Sequence, residues 1–225
     1  GLFPPEMSAW EKTFLGWTEP SILATDSELT AELPAVSLRQ DNSAFKVELS
    51  KSEYFLIENR HRDPDSNGVT IDIQRPDGSI VTQTFTNNNR RFTFQQQGFE
   101  ELLEPGVIVS VSDYDFSLPG GLFEENNDTD SSRELNGGIL IWHIDENIIA
   151  RNITSNTINT GPEPNGVVLM EADGAQDIGN PLSNGLFSNE SNGWAFDFWW
   201  SGNDASVITQ TSTIQLYQNR FGPDT

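Results

Sequence analysis

The sequence predicts a mainly β protein, a twisted antiparallel or mixed sheet assembly of sandwich type behind one short N-terminal helix, and three features carry that reading. Ile139 to Trp142 is a continuous β-branched and aromatic block between paired glycines and a run of carboxylates, as befits a central strand covered on both faces. Ser52–Arg60 is a second strongly apolar run. Between them Val69, Ile71 and Ile73 alternate, Arg75-Pro76-Asp77-Gly78-Ser79 turns, and Ile80, Thr82 and Thr84 return, which is a hairpin pattern.

In chain order, the first element is a short helix. Pro4 and Pro5 suit its first turn, Met7, Trp10 and Phe14 fall on one face, and Gly16 stands where a helix ends. Its single apolar stripe is expected to dock on the following sheet or on protein that precedes residue 1. The pattern then changes to period two, with Leu29, Ala31 and Leu33 followed by Phe45, Val47 and Leu49. Ser52–Arg60 is expected to lie beside the Ile139 strand, with the hairpin between them in sequence. Phe92 and Phe94 suggest a further short strand, Phe99 to Leu103 a helical turn, and Val107 to Val111 a third apolar strand. Asp113 to Glu134 reads as a long polar loop and Val167 to Met170 as a strand. After these come an Asn/Ser/Gly-rich loop from Asp177 to Asn192, an aromatic cluster from Trp194 to Trp200, and a last strand near Thr213 to Tyr217. No internal repeat is visible, and no linker is clean enough to mark two domains.

The balance of 34 acidic against 12 basic side chains gives a net charge of -22. Such a surface repels nucleic acid and anionic membranes, while bound cations or a salty medium relieve its self-repulsion. With no cysteine, disulfides and thiolate metal sites are excluded. No apolar run approaches the roughly 20 residues that span a bilayer. Gly1-Leu2-Phe3-Pro4-Pro5 is not a signal peptide, and the expectation is an internal cut through a longer chain.

Oxygen-rich loops make calcium the metal to consider, since it takes six to eight oxygen ligands. Asp63, Asp65 and Asn67 stand at positions 1, 3 and 5 of a calcium-type loop with Gly68 at 6, but position 12 is Gln74, so an Asx turn explains them equally well. Asp128 and Asp130, with Asn126 and Glu134, form a second candidate, for which a solvated mobile loop is an equal reading. The third is Glu171, Asp173 and Asp177, with Asp197 completing the shell. Glu171 and Asp173 share a face at a strand end and Gly174 permits a sharp turn, so a calcium shell and a capped turn both fit. His143 and Asp145 also share a face, either as a metal-ligand pair or as a hydrogen-bonded strand end, and the absence of a second histidine one turn away favours the latter. His61, between Arg60 and Arg62, reads as exposed. Trp194, Trp199 and Trp200, with Phe196 and Phe198, would suit stacking on sugar rings, while their alternation suits a core strand that also docks another domain. Asn127, Asn152 and Asn189 begin N-x-[ST] sequons.

Four blocks, in order, carry a resemblance: Ala9-Trp10-Glu11-Lys12 with Leu15-Gly16-Trp17, Glu53-Tyr54-Phe55-Leu56-Ile57-Glu58-Asn59-Arg60, Leu140-Ile141-Trp142-His143-Ile144-Asp145-Glu146, and Glu171-Ala172-Asp173-Gly174. Together they resemble the region C-terminal to the zinc helix in secreted zinc metallopeptidases of the immune inhibitor A type. The resemblance implies an extracellular endopeptidase with catalytic zinc and structural calcium. Its HExxH zinc motif is missing, because His61 and His143 are the only histidines and neither has a partner one turn away. Zinc would therefore belong to an absent catalytic domain, and this chain alone is expected to be inert. The implied organisation is residues 1–17 as the last helix of that peptidase domain and 18–225 as a β-rich accessory region, with insertions at 63–106 and 121–136. Its implied task is to brace the peptidase domain and bind structural calcium, with protein or glycan substrates as further partners. The alternative is a free-standing carbohydrate-binding or adhesive extracellular β-domain.

Overall fold

A computed structural model describes residues 5–24, 30–38, 42–65, 67–85, 106–112, 114–118, 137–160, 164–174, 176, 178 and 197–200. It is mainly β, with eight strands in two sheets among the described residues. The strands are β1 (Ser21–Ile22), β2 (Ala44–Glu48), β3 (Glu53–His61), β4 (Val69–Gln74), β5 (Ile80–Phe85), β6 (Val107–Val111), β7 (Gly137–Asp145) and β8 (Val167–Leu169). A mixed sheet runs β1-β2-β3-β7-β8, parallel only between β1 and β2, and an antiparallel sheet runs β5-β4-β6.

The two runs expected to be neighbours are the centre of the larger sheet. β3 and β7 pair antiparallel over nine positions, from Glu53 opposite Asp145 to His61 opposite Gly137. Period two then assigns the faces. Tyr54 and Leu56 of β3 turn to one side with Ala44, Ile144 and Ile149, while Phe55 turns to the other with Ile141, Met170, Ala172 and Trp199. Both faces are therefore apolar, the condition that a continuous rather than alternating run satisfies.

The N-terminal helix α1 (Ala9–Phe14) covers the first of these faces through Ala9, which is 2% exposed. Its start differs from the expected one. Ser8 is the N-cap and forms a capping box with Glu11, so Pro5 precedes the helix instead of opening it. At its other end Gly16 has φ +71, Gly16 N–H donates to Thr13 O and Trp17 N–H to Lys12 O. This is a Schellman stop that needs a left-handed residue where Gly16 stands. The expected stripe is only partly used, because Trp10 stacks on Phe14 at 5.3 Å while Phe14 stays 56% exposed.

A second helix, α2 (Glu146–Asn152), comes directly after β7 and was not expected from the sequence. Asp145 caps it, accepting from the N–H groups of Asn147 and Ile148, and Ile148 and Ile149 are its buried positions.

In the smaller sheet Val69, Ile71 and Ile73 are all fully buried against Phe85 and Tyr114. Thr70 and Asp72 on the opposite face bond Thr84 and Thr82 across the β4–β5 pair, which leaves one face wet. Ala31 to Leu33 form no strand. Instead Ala35 bridges Asn59, whose side-chain amide donates to Leu33 O. The expectations for Leu29, Phe92, Phe94, residues 99–103, almost all of the 113–134 loop including the 121–136 insertion, most of the 177–192 loop, Trp194, Phe196 and residues 213–217 lie outside the described residues.

Candidate metal centre

Strand β8 ends against β7, and the next residues of the chain stay beside that strand. Met170 N–H donates to Ile141 O at 2.8 Å, and Gly174, with φ +68, closes a turn by donating to Glu171 O at 3.0 Å. A second segment runs alongside, in which Trp199 exchanges both backbone hydrogen bonds with Ile139 at 3.0 Å. The two segments are tied together by Ala172 N–H donating to Asp197 O at 3.0 Å and by the Trp199 indole N–H donating to Met170 O at 2.8 Å. Ala172 is wholly buried between them.

This backbone arrangement turns three carboxylates inward. Glu171 is 3% exposed, Asp173 9% and Asp197 1%, and a ligand oxygen from each lies within 4.8 Å of the others. Asp173 Oδ2 and Asp197 Oδ1 are shielded from solvent. Two oxygens on opposite sides of one calcium ion, each about 2.4 Å from it, are separated by that same distance. Carboxylates are hard ligands, so the set suits calcium, magnesium or manganese and not a thiophilic metal. Glu171 Oε1 also accepts from Ile178 N–H at 3.1 Å, which fixes its rotamer. A cavity of about 220 Å³ is lined by Asp197, Phe198, Leu140, Leu169 and Ile178 among others, so the cluster borders this space through Asp197 alone.

The other sequence candidates are placed differently. Asp63 is 3% exposed and both its oxygens accept backbone N–H groups, Oδ1 from Asn67 at 3.1 Å and Oδ2 from Gly68 at 2.9 Å. The Asx turn is therefore the structure that forms, while Asp65 and Asn67 are exposed. His143 Nε2 lies 3.5 Å from Glu53 Oε2 and its ring is tilted against Phe55 at 5.5 Å, whereas Asp145 is committed to capping α2. These two are a strand-end pair with separate structural partners. His61, expected to be exposed, is half-buried, and burial pushes its pKa down against the pull of Asp63. Trp199 is a core residue at 9% exposure, and Trp200, half-buried, packs beside Phe198. Asp128, Asp130, Asp177 and Trp194 lie outside the described residues.

A buried charge cluster escaped the sequence reading. Glu58 is 0% exposed, Arg60 5% and Asp115 2%. Arg60 Nε donates to Asp115 Oδ2 at 2.6 Å and Nη2 to Ser117 Oγ at 2.7 Å, while Nη1 stands 3.7 Å from Glu58 Oε1. The Trp142 indole N–H donates to Glu58 Oε1 at 2.8 Å. Burial pushes the Glu58 pKa up despite Arg60 and Trp142. Asp115 is pulled the other way, since the bond from Arg60 and its charge outweigh the burial penalty. Burial also works against the charge of Arg60, but Asp115 and Glu58 more than restore it. Period two supplied the missing signal, because Glu58 and Arg60 continue the buried face of Tyr54 and Leu56.

No family model, curated protein or solved structure matches this chain.

Proposed function

We propose that this chain is a non-catalytic, calcium-stabilised β region of a secreted zinc metallopeptidase, bracing a catalytic domain that supplies the zinc. The observation that carries the calcium reading is the convergence of Glu171, Asp173 and Asp197, all buried, with ligand oxygens within 4.8 Å. Three such carboxylates repel one another in a poorly solvated site, and a bound divalent cation converts that repulsion into attraction. The Glu171-Ala172-Asp173-Gly174 block that carries part of the peptidase resemblance supplies two of the three ligands. For the bracing role, support comes from the end of α1 and the strand after it, where Phe14, Leu15, Trp17 and Ile22 are 47 to 69% exposed. Large apolar side chains grouped in this way favour a docked neighbour.

The physical logic of calcium here is one of protection. A protein without disulfides gains stability outside the cell from an ion that binds only its folded state. The test is terbium luminescence and thermal unfolding of the chain with calcium or chelator. Calcium is expected to raise the melting temperature, and terbium, sensitised by Trp199, to bind and be displaced by calcium. A melt indifferent to both calcium and chelator would remove the basis of the proposal.

A further inference from the structure

A cavity of about 480 Å³ opens between the start of α1, strands β3 and β7, and the turn at 156–160. Its walls include Glu6, Trp10, Arg60, Trp142, Asn156 and Asn159. The smaller cavity beside Asp197 shares Glu6, Arg60 and Trp142 with it, so these three side chains form a common wall with open space on both sides. The size falls within the roughly 300 to 1,000 Å³ of small-molecule sites.

The chemistry of the wall narrows the occupant. Arg60 makes hydrogen bonds through Nε and Nη2, but Nη1, 3.7 Å from Glu58 Oε1, makes none among the described residues. Arg60 lines this cavity, and its Nη1 can donate there to an oxygen acceptor. An anion is disfavoured, since Glu6 and Glu11 line the cavity and Glu58 and Asp115 stand behind Arg60. A cation gains little either. Glu6 is already paired with Lys12, and Glu11 Oε2 is held by the N–H and hydroxyl of Ser8. Charge thus favours neither ion, and a neutral molecule rich in oxygen suits this wall. Trp10 and Trp142, both partly exposed, add apolar ring surface, and Trp142 is held in place by its bond to Glu58.

We propose that this cavity binds a neutral sugar ring, its C–H face against the tryptophans and its hydroxyls accepting from Arg60. The site is distinct from the carboxylate cluster and does not depend on the calcium reading. The experiment is saturation-transfer NMR and calorimetry on the full chain, with glucose, galactose, mannose and N-acetylglucosamine as probes. Acetate and tetramethylammonium serve as charged comparisons. Titration to about 50 mM covers dissociation constants well beyond 1 mM. At least one sugar is expected to bind saturably, with affinity at least tenfold lower in Trp10→Ala and in Thr160→Arg. The second variant places a long charged side chain at the exposed rim and decides the matter if the first fails to fold. Binding of the trisaccharide of the preferred sugar would identify a glycan end as the ligand, and its exclusion a free monosaccharide. No saturable sugar signal, a signal unchanged in the folded variants, or binding of acetate or tetramethylammonium instead would overturn the assignment.

Discussion

Replacing Asp197 with Asn should change the stability of the protein in opposite directions with and without calcium. At separations of at most 4.8 Å, and with an effective dielectric of about 20, each carboxylate pair in the cluster repels by roughly 3.5 kcal/mol. Asp197 takes part in two of the three pairs. Asn keeps the shape of the side chain and one acceptor oxygen, and the bond from Ala172 N–H to the backbone carbonyl of residue 197 is untouched. Local relaxation consumes much of the gross gain, so a net stabilisation of about 1 to 2 kcal/mol is expected in chelator. For a chain of this size each kcal/mol moves the melting temperature by about 2 to 4 °C. Calcium at a hundred times its dissociation constant adds about 2.7 kcal/mol to the native protein and much less to the variant. The variant should therefore melt a few degrees above the native chain in chelator and below it in calcium. Differential scanning calorimetry of both proteins in both buffers is sufficient. A variant less stable in both buffers would mean that the Asp197 carboxylate serves the fold as an acceptor and not as an ion ligand.

The other expectations concern the charge cluster and the central strands. Glu58 has a folded pKa raised above its unfolded value of about 4.5, so ionising it costs stability. That cost is absent below about pH 4.5 and grows as pH rises toward the folded pKa. Glu58→Gln should therefore gain on the native protein as pH is raised from about 4.5 to 8, and urea midpoints that converge over that range would contradict the burial argument. Asp115→Ala strands a buried guanidinium and should cost about 3 to 5 kcal/mol, read as a lowered urea midpoint; a loss below about 1 kcal/mol would show that Arg60 finds water. At Gly137, with φ +131, an added Cβ would lie 2.0 Å from Arg60 O, a backbone atom that cannot swing aside. Gly137→Ala should abolish the soluble fold. Gly78→Ala, with φ +85 but no atom within 4 Å of the added Cβ, should cost only about 1 to 2 kcal/mol, and similar melts for the two would refute the steric account.

The range of each interaction explains why some of this was legible and some was not. The β3 and β7 runs announced themselves because a strand covered on both faces must be apolar at every position, and that shows within nine residues. The β4–β5 hairpin was equally local, its register set by Arg75 N–H donating to Ser79 O across the turn. Helix α2 was obscured by its own cap. Asp145 sits beside His143 and Glu146, a grouping that reads as metal chemistry until the backbone N–H groups of Asn147 and Ile148 are seen to occupy it. Glu171 and Asp173 form a pair because period two governs neighbours, and Asp197, the third residue that the sequence offers, is held beside them by a backbone bond from Ala172 across 25 positions of chain.

The Glu58, Arg60 and Asp115 cluster shows where local reading stops. The alternation that buries Tyr54 and Leu56 also requires Glu58 and Arg60 to be buried, so two opposite charges on one core face follow from the sequence of β3 alone. Those two form an ion pair but not a hydrogen bond, because neighbours on one face of a strand point side by side and stand 3.7 Å apart. The strand by itself therefore calls for a second acceptor for Arg60 and a donor for Glu58. Trp142, opposite Leu56 in register and on the same face, is available as that donor through the β3–β7 pairing. Asp115 comes from a loop that only the folded chain brings near, held there by Asp115 N–H donating to Arg62 O. Removing that single backbone bond, for instance by an ester at position 115, should loosen the carboxylate as well as the loop, because the backbone of residue 115 positions the acceptor that pairs with Arg60.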